Sequence, residues 1–216
     1  LDGELIEVTR MDERPWFLHS SENLILALGR PKCGLLVDGE HRELPSTSPV
    51  MCGLSGRENI LFGHADGTIS SFKGEEICKE STSIESLTCI EQGFVAALDN
   101  GDLVARTPNS EQIWTASGPQ VTTQSAGFDD LHWCGRWDSI RGHLEVRSNS
   151  GEIMVSTETS RPRVSDFSEN RIAFGFEDGQ ILVWERELFE RRSKQEKSEE
   201  NSRNSALAAK LRSLRK

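Results

Sequence analysis

Residues Phe174 to Glu185 read FGFEDGQILVWE. Two apolar runs flank Glu177-Asp178-Gly179, and Trp184 closes the second run. Isolated, this is an acidic hairpin. Whether it is a site or one copy of a repeat decides the architecture, and copies elsewhere in the chain answer that. ILFGHADGTISSF (Ile60 to Phe72), FVAALDNGDLVAR (Phe94 to Arg106) and LEVRSNSGEIMVS (Leu144 to Ser156) share the pattern, and LILALGRPKCGLLV (Leu24 to Val37) is a looser copy. DGELIEV, near the start, reads as the second half of another. After the turn glycine come a polar residue and then Leu or Ile: Glu4-Leu5, Thr68-Ile69, Asp102-Leu103, Glu152-Ile153 and Gln180-Ile181.

The recurrence has a physical reason. A tight link between twisted strands needs positive φ, which Gly adopts freely and Asn and Asp tolerate. The turn glycines Gly3, Gly34, Gly67, Gly101, Gly151 and Gly179 are spaced by 31, 33, 34, 50 and 28 residues. The uneven last pair reads as an insertion in one unit and trimming in the next. The flanking runs carry the Ile, Val, Leu and Phe of buried strands.

Each unit has a further apolar piece upstream: PWFLHS, PVMCGLS, SLTCIEQ, LHWCGRW and RVSDFSE. A weaker fourth strand shows as EQIWTA (Glu111 to Ala116). Four antiparallel strands recurring every 30 to 40 residues are the pattern of a propeller blade. The expected fold is all-β, a β-propeller of four-stranded antiparallel blades with about five units visible and a C-terminal helical tail. ILVWE reads as the last strand of the final unit, so a truncated or open ring is favoured over a closed five-bladed one.

The units resemble repeats of the WD-repeat and quinoprotein-like (PQQ-type) families. GQILVWE is similar to the strand ending a WD repeat, with Trp184 at the Trp position and Glu185 where Asp is usual. GDLVARTPNSEQIWTA resembles a quinoprotein-type repeat, with Thr107 and Ser110-Glu111 where that repeat has Asp and Thr-Gly. The resemblance implies a propeller over roughly residues 1 to 187. Quinoprotein dehydrogenases use adjacent cysteines and a calcium-bound quinone. Cys33, Cys52, Cys78, Cys89 and Cys134 include no adjacent pair, so that activity is not carried over and no cofactor is expected.

The 216 residues suffice for one domain with a real core. No apolar run approaches the roughly 20 residues that span a bilayer. The odd cysteine count and the lack of C-x-x-C spacing argue against a disulfide framework or structural zinc, and a cytoplasmic location is expected. The net charge of −10 is uneven: residues 185–216 hold ten Lys or Arg against six Asp or Glu. The acidic body disfavours general nucleic-acid binding.

Domain boundaries are read at 1–189 for the propeller, 190–204 for a polar linker and 205–216 for a basic amphipathic helix. Leu207, Leu211 and Leu214 fall on one helical face among Lys210, Arg212, Arg215 and Lys216. That face suits a partner protein or, less readily, a membrane surface. A solvated tail is the plainer reading, since about 12 residues make a marginal helix alone.

No Walker loop, Rossmann fingerprint, H-E-x-x-H or G-x-S-x-G is present. His132, Cys134 and His143 form a trio in sequence, but His132 and Cys134 read as neighbours on one strand face. His19, His41 and His64 lie in separate units. Asp129-Asp130 reads as a solvated turn rather than a catalytic or calcium pair. The remaining candidate is CGRWDSIRG (Cys134 to Gly142), read as a long loop between second and third strands. Such loops share a rim with the links between blades. There Arg136, Trp137 and Arg141 would offer the residue types enriched at binding hot spots, unless Trp137 folds back onto its own blade. Glu177, Asp178 and Gly179 are placed on the opposite rim. The expected function is a non-enzymatic protein-interaction scaffold. The alternative is an enzyme or small-ligand-binding propeller of the quinoprotein-like kind, with its key residues in upstream blades.

Overall fold

The computed structural model describes residues 15–21, 24–29, 34–37, 40–44, 48–55 and 60–192. Residues 205–216, and with them Leu207, Leu211 and Leu214, lie outside the described residues, as does DGELIEV. Among these residues nineteen strands form five antiparallel sheets in strict chain order. Blade 1 is β1 (Pro15–Ser21), β2 (Leu24–Gly29), β3 (Gly34–Val37) and β4 (Glu40–Glu43). Blade 2 is β5 (Val50–Ser55), β6 (Ile60–His64), β7 (Thr68–Ser71) and β8 (Glu76–Lys79). Blade 3 is β9 (Ile84–Ile90), β10 (Gly93–Leu98), β11 (Leu103–Arg106) and β12 (Gln112–Ala116). Blade 4 is β13 (Gln120–Ala126), β14 (His132–Trp137), β15 (Gly142–Arg147) and β16 (Ile153–Thr159). Blade 5 is β17 (Pro162–Ser168), β18 (Arg171–Phe176) and β19 (Ile181–Glu185), followed by helix α1 (186–192).

The first strands β5, β9, β13 and β17 stand side by side, so the blades radiate from a common axis. Polar side chains join these inner strands. Thr123 Oγ1 lies 2.7 Å from Ser165 Oγ, and Gln124 Nε2 donates to Ser86 Oγ at 2.9 Å. The core lies between blades, which explains the unbroken apolar runs. In blade 3, Phe94, Ala96, Leu98 and Val104 pack toward blade 2 with Ile69 and Ile84. On the other face Val95, Ala97, Leu103 and Ala105 pack with Val121 and Cys134 of blade 4. Burying each large aliphatic side chain stabilises the fold by about 1.5–3 kcal/mol. Trp184 packs between blades 4 and 5. Its ring lies 5.3 Å from Trp133, in a cluster with Phe128 and Phe174. Phe189 adds to that cluster from α1, and Arg186 pairs with Asp129 across it. The helix therefore crosses the boundary drawn after residue 189.

The repeated turns are one device. Gly67, Gly101 and Gly179 have φ of 87°, 88° and 86°, and each N–H donates three residues back, to His64, Leu98 and Phe176. The residue before each glycine holds the turn from inside: Asp66, Asn100 and Asp178 accept the N–H of Thr68, Asp102 and Gln180. The chain then fastens to the link entering its blade. Ala65 N donates to Pro49 O, Asp99 N to Ser83 O and Glu177 N to Arg161 O, sixteen residues earlier each time.

Four expectations are corrected. First, ILVWE is the third strand of a sheet that has three among the described residues, not the fourth of a four-stranded blade. Secondly, LHWCGRW holds the second strand of blade 4; the first is β13, whose QVTTQSA lacks the apolar run used to find strands. Thirdly, the 50 and 28 spacings compare turns of two kinds: blade 4 is longer than its neighbours, but blade 5 is not trimmed at this turn. Strand pairing makes Gly142, not Gly151, the counterpart of Gly101 and Gly179: Gly135 pairs with Leu144 as Ala97 with Leu103 and Gly175 with Ile181. Gly151 turns between third and fourth strands instead. Fourthly, Glu177, Asp178 and Gly179 join second to third strands like residues 138–141, so both lie on the same rim.

Candidate protein-interaction rim of blade 4

The rim of second-to-third-strand turns is uniform in blades 2, 3 and 5 and changes in blade 4. There β14 runs on to Trp137, and the turn is only residues 138–141, shorter than the loop expected from Cys134 to Gly142. Asp138 organises it. Its Oδ1 accepts the N–H of Ile140 at 2.8 Å and of Arg141 at 2.6 Å, while Ser139 takes φ of 81°. The Arg141 and Ile140 amides hold the Asp138 carboxyl below its usual range. The turn thereby presents Ile140, 80% exposed, at its tip. Beside it Arg141 donates to Glu158 Oε1 at 2.8 Å, both side chains well exposed. Trp137 is half-buried, and Arg161 of the blade 4–5 link stacks over its ring at 5.4 Å.

Arg136 does not stand on the rim surface, as the sequence suggested; it is fully buried beneath it. β14 is buried on both faces up to Arg136, because blades pack on either side of it, and Arg136 shares its face with His132 and Cys134. Its Nη1 donates to Gly101 O and Pro119 O, both at 2.7 Å, clamping the blade 3 turn and the blade 3–4 link. Its Nε donates to Glu145 Oε2 at 3.1 Å. That same oxygen accepts from Arg147 Nη2 at 2.7 Å. One half-buried carboxylate thus serves two buried guanidinium groups between blades 3 and 4. In blade 2 the corresponding position holds His64, equally buried, contacting Ser48 O at 3.0 Å and Ser70 Oγ at 2.7 Å.

His132 and Cys134 share a strand face, as expected, while His143 turns to Asp138 at 3.5 Å. Gln124 donates its amide nitrogen to Ser86, so its Oε1 faces His132 Nε2 at 2.8 Å and fixes the proton there. Burial, then the nearby Arg147 and Arg136, lowers the His132 pKa to about 3. Burial pushes the Cys134 thiol up to about 12. These groups are neutral structural elements at ordinary pH. Asp129 and Asp130 are turn residues on the other rim: Asp129 pairs with Arg186, and Asp130 accepts the Glu91 N–H. Among the described residues no three His, Cys, Asp or Glu come together as metal ligands would. Nor is any helix among them long and apolar enough to cross a membrane.

Sequence reading missed Ile140 and Arg161. Ile140 was inside the quoted stretch, but nothing in its type marks it; only the Asp138-anchored turn puts it at the tip. Arg161 reaches Trp137 through the link between blades, which strand patterns do not report.

No family model and no curated protein matches the chain. Several solved structures do. The computationally designed protein Ika8 is 17% identical with a TM-score of 0.63 over 78% of this chain and 57% of its own. The WD40 β-propeller domain of Doa1 is 14% identical with a TM-score of 0.61, covering 77% of this chain and 62% of that one. BBS1N, in its complex with ARL6DN, is 11% identical with a TM-score of 0.60, covering 74% and 60%. The chain spans less than two thirds of each of these three. At such identities the likeness concerns the fold, and it agrees with the blade order, register and radial packing: the chain is a β-propeller.

Proposed function

We propose that this chain is a non-enzymatic protein-interaction scaffold of the WD-repeat-like propeller type, docking partners on the blade 4 rim. One observation carries the reading: Ile140 is held out at the tip of a turn fixed by Asp138, beside Arg141. An exposed aliphatic group on a pre-ordered loop binds without the entropy cost of ordering that loop. Trp137, Arg141 and Arg161 add the aromatic and arginine side chains common at hot spots. Support also comes from BBS1N, a structural neighbour crystallised with a protein partner. The basic tail, with Leu207, Leu211 and Leu214 on one face, is a second contact in this reading.

The test is affinity capture from the native cell, with quantitative mass spectrometry, comparing wild type with Ile140→Asp/Arg141→Glu. The control is Ile153→Asp, which alters an exposed residue of β16 away from the rim. At least one partner should be lost from the rim variant and kept by the control. An identical partner set for all three proteins would sink the proposal.

A further inference from the structure

The carboxylates around the blade 4 turn already have donors. Asp138 accepts the Ile140 and Arg141 amides and lies 3.5 Å from His143. Glu158 pairs with Arg141, and Glu177 with Arg163. Asp178 accepts the Gln180 N–H.

Arg161 is the charge left over. It is half-buried in the blade 4–5 link, with its guanidinium over the Trp137 ring at 5.4 Å. Stacking of this kind uses the flat face of the group and none of its N–H donors. Nε is enclosed without a hydrogen-bond partner, and Nη1 and Nη2 meet no carboxylate among the described residues. The link that carries them is fixed. Arg161 O accepts the Glu177 N–H, and Pro162 fills the space a Cβ would need at Gly135, 2.4 Å away. A guanidinium held flat on an indole, with its outer N–H fork unused, is one half of a bidentate pair.

The surroundings select the other half. Arg141, Arg161 and Arg163 stand among Asp138, Glu158, Glu177 and Asp178, so this rim has no positive surplus, and the chain carries a net charge of −10. A run of acidic residues, or a phosphate at about −1.5 to −2, meets repulsion from all of these carboxylates. A single carboxylate meets the least. Terminal carboxylates are captured by clusters of free backbone N–H groups. Here Asp138 already takes two amides of the turn, which favours a side-chain carboxylate.

We infer, resting on the docking role proposed for this rim, that the partner's contact segment carries one Asp or Glu. Its carboxylate pairs with Nη1 and Nη2 of Arg161, and a neighbouring aliphatic residue packs on Ile140.

The test is selection from phage-displayed random dodecapeptides on wild type, Arg161→Gln and Ile140→Asp/Arg141→Glu. The synthetic consensus peptide is then titrated, alongside the same peptide with its Asp or Glu replaced by Asn or Gln. Wild type should select one acidic residue beside aliphatic ones. Removing the charge from the peptide or from Arg161 should each weaken binding about tenfold or more. Removing both should cost little beyond either alone, because the two losses belong to one pair. Ile140→Asp/Arg141→Glu should abolish binding. Selected peptides without an acidic residue, or losses that multiply, would overturn the inference while the rim remains a docking surface if Ile140→Asp/Arg141→Glu abolishes binding. Selection of no peptide, or binding that this double variant leaves unchanged, would overturn the docking role of the rim and the inference together.

Discussion

His132 makes the stability of this propeller sensitive to mild acid in a way that can be isolated. Its imidazole is buried between blades 3 and 4, donates to Gln124 and faces two guanidinium groups, with its pKa lowered to about 3. In the unfolded chain it titrates near 6.5. Between those values the unfolded state binds a proton that the native state refuses, so stability falls as pH falls. The slope is about 1.4 kcal/mol per pH unit. From pH ~7.5 to ~5 the loss assigned to this one residue is therefore about 2 kcal/mol. Asp66, held at about 2, works in a different range: its contribution is present above pH 3.8 and is lost as pH falls through about 2. The Cys134 thiol, raised to about 12, titrates far above the window. The assay is urea unfolding of wild type and His132→Gln at both pH values. Gln retains a donor for Gln124 and carries no titration. Whatever the substitution costs at neutral pH cancels in the comparison. Wild type should lose about 2 kcal/mol more than the variant on acidification. Equal losses would refute the buried, proton-refusing state of His132.

Two further predictions concern the rim. Glu145→Gln leaves Arg136 and Arg147 buried without their shared carboxylate and should cost about 3–5 kcal/mol in chemical denaturation. Gly101→Ala and Gly179→Ala carry the same positive-φ penalty but differ in space. A Cβ at Gly101 would meet Gly118 O at 2.2 Å, while one at Gly179 meets nothing within 4 Å. Gly179→Ala should cost about 1 kcal/mol, Gly101→Ala at least ~3 kcal/mol, and thermal or urea midpoints would rank them.

The repeat was legible because its turns demand particular residues. Asp66, Asn100 and Asp178 before a positive-φ glycine are chemistry visible in one dimension, and strand existence in blades 2, 3 and 5 followed from the runs between them. Blade 4 misled for the opposite reason. Its second turn is built by Asp138 accepting two amides, with no glycine at positive φ, so the nearest matching glycine, Gly151, was mistaken for its equivalent. β13 escaped notice because inner strands near the axis bond through Thr123, Gln124 and Ser165 rather than through apolar contacts. Arg141 stands exposed on the turn and Trp137 lies half-buried at its base, whereas Arg136 is buried beneath it. Arg136 falls in the stretch read as loop rather than strand, and its buried guanidinium bonds to Gly101, Pro119 and Glu145. Those three come from separate stretches of chain.

The main-chain joints from Ala65 to Pro49, Asp99 to Ser83 and Glu177 to Arg161 use no side-chain atom. Almost any residue can occupy those positions while the sixteen-residue interval is kept. Evolution is thus free to rewrite the letters of these blades so long as it does not insert or delete within the interval, which suits a shape shared with proteins only 11% to 14% identical. The seam between blades 3 and 4 has no such freedom. It hangs partly on one guanidinium, so a single base change at the codon for Arg136 reaches what many substitutions elsewhere would not.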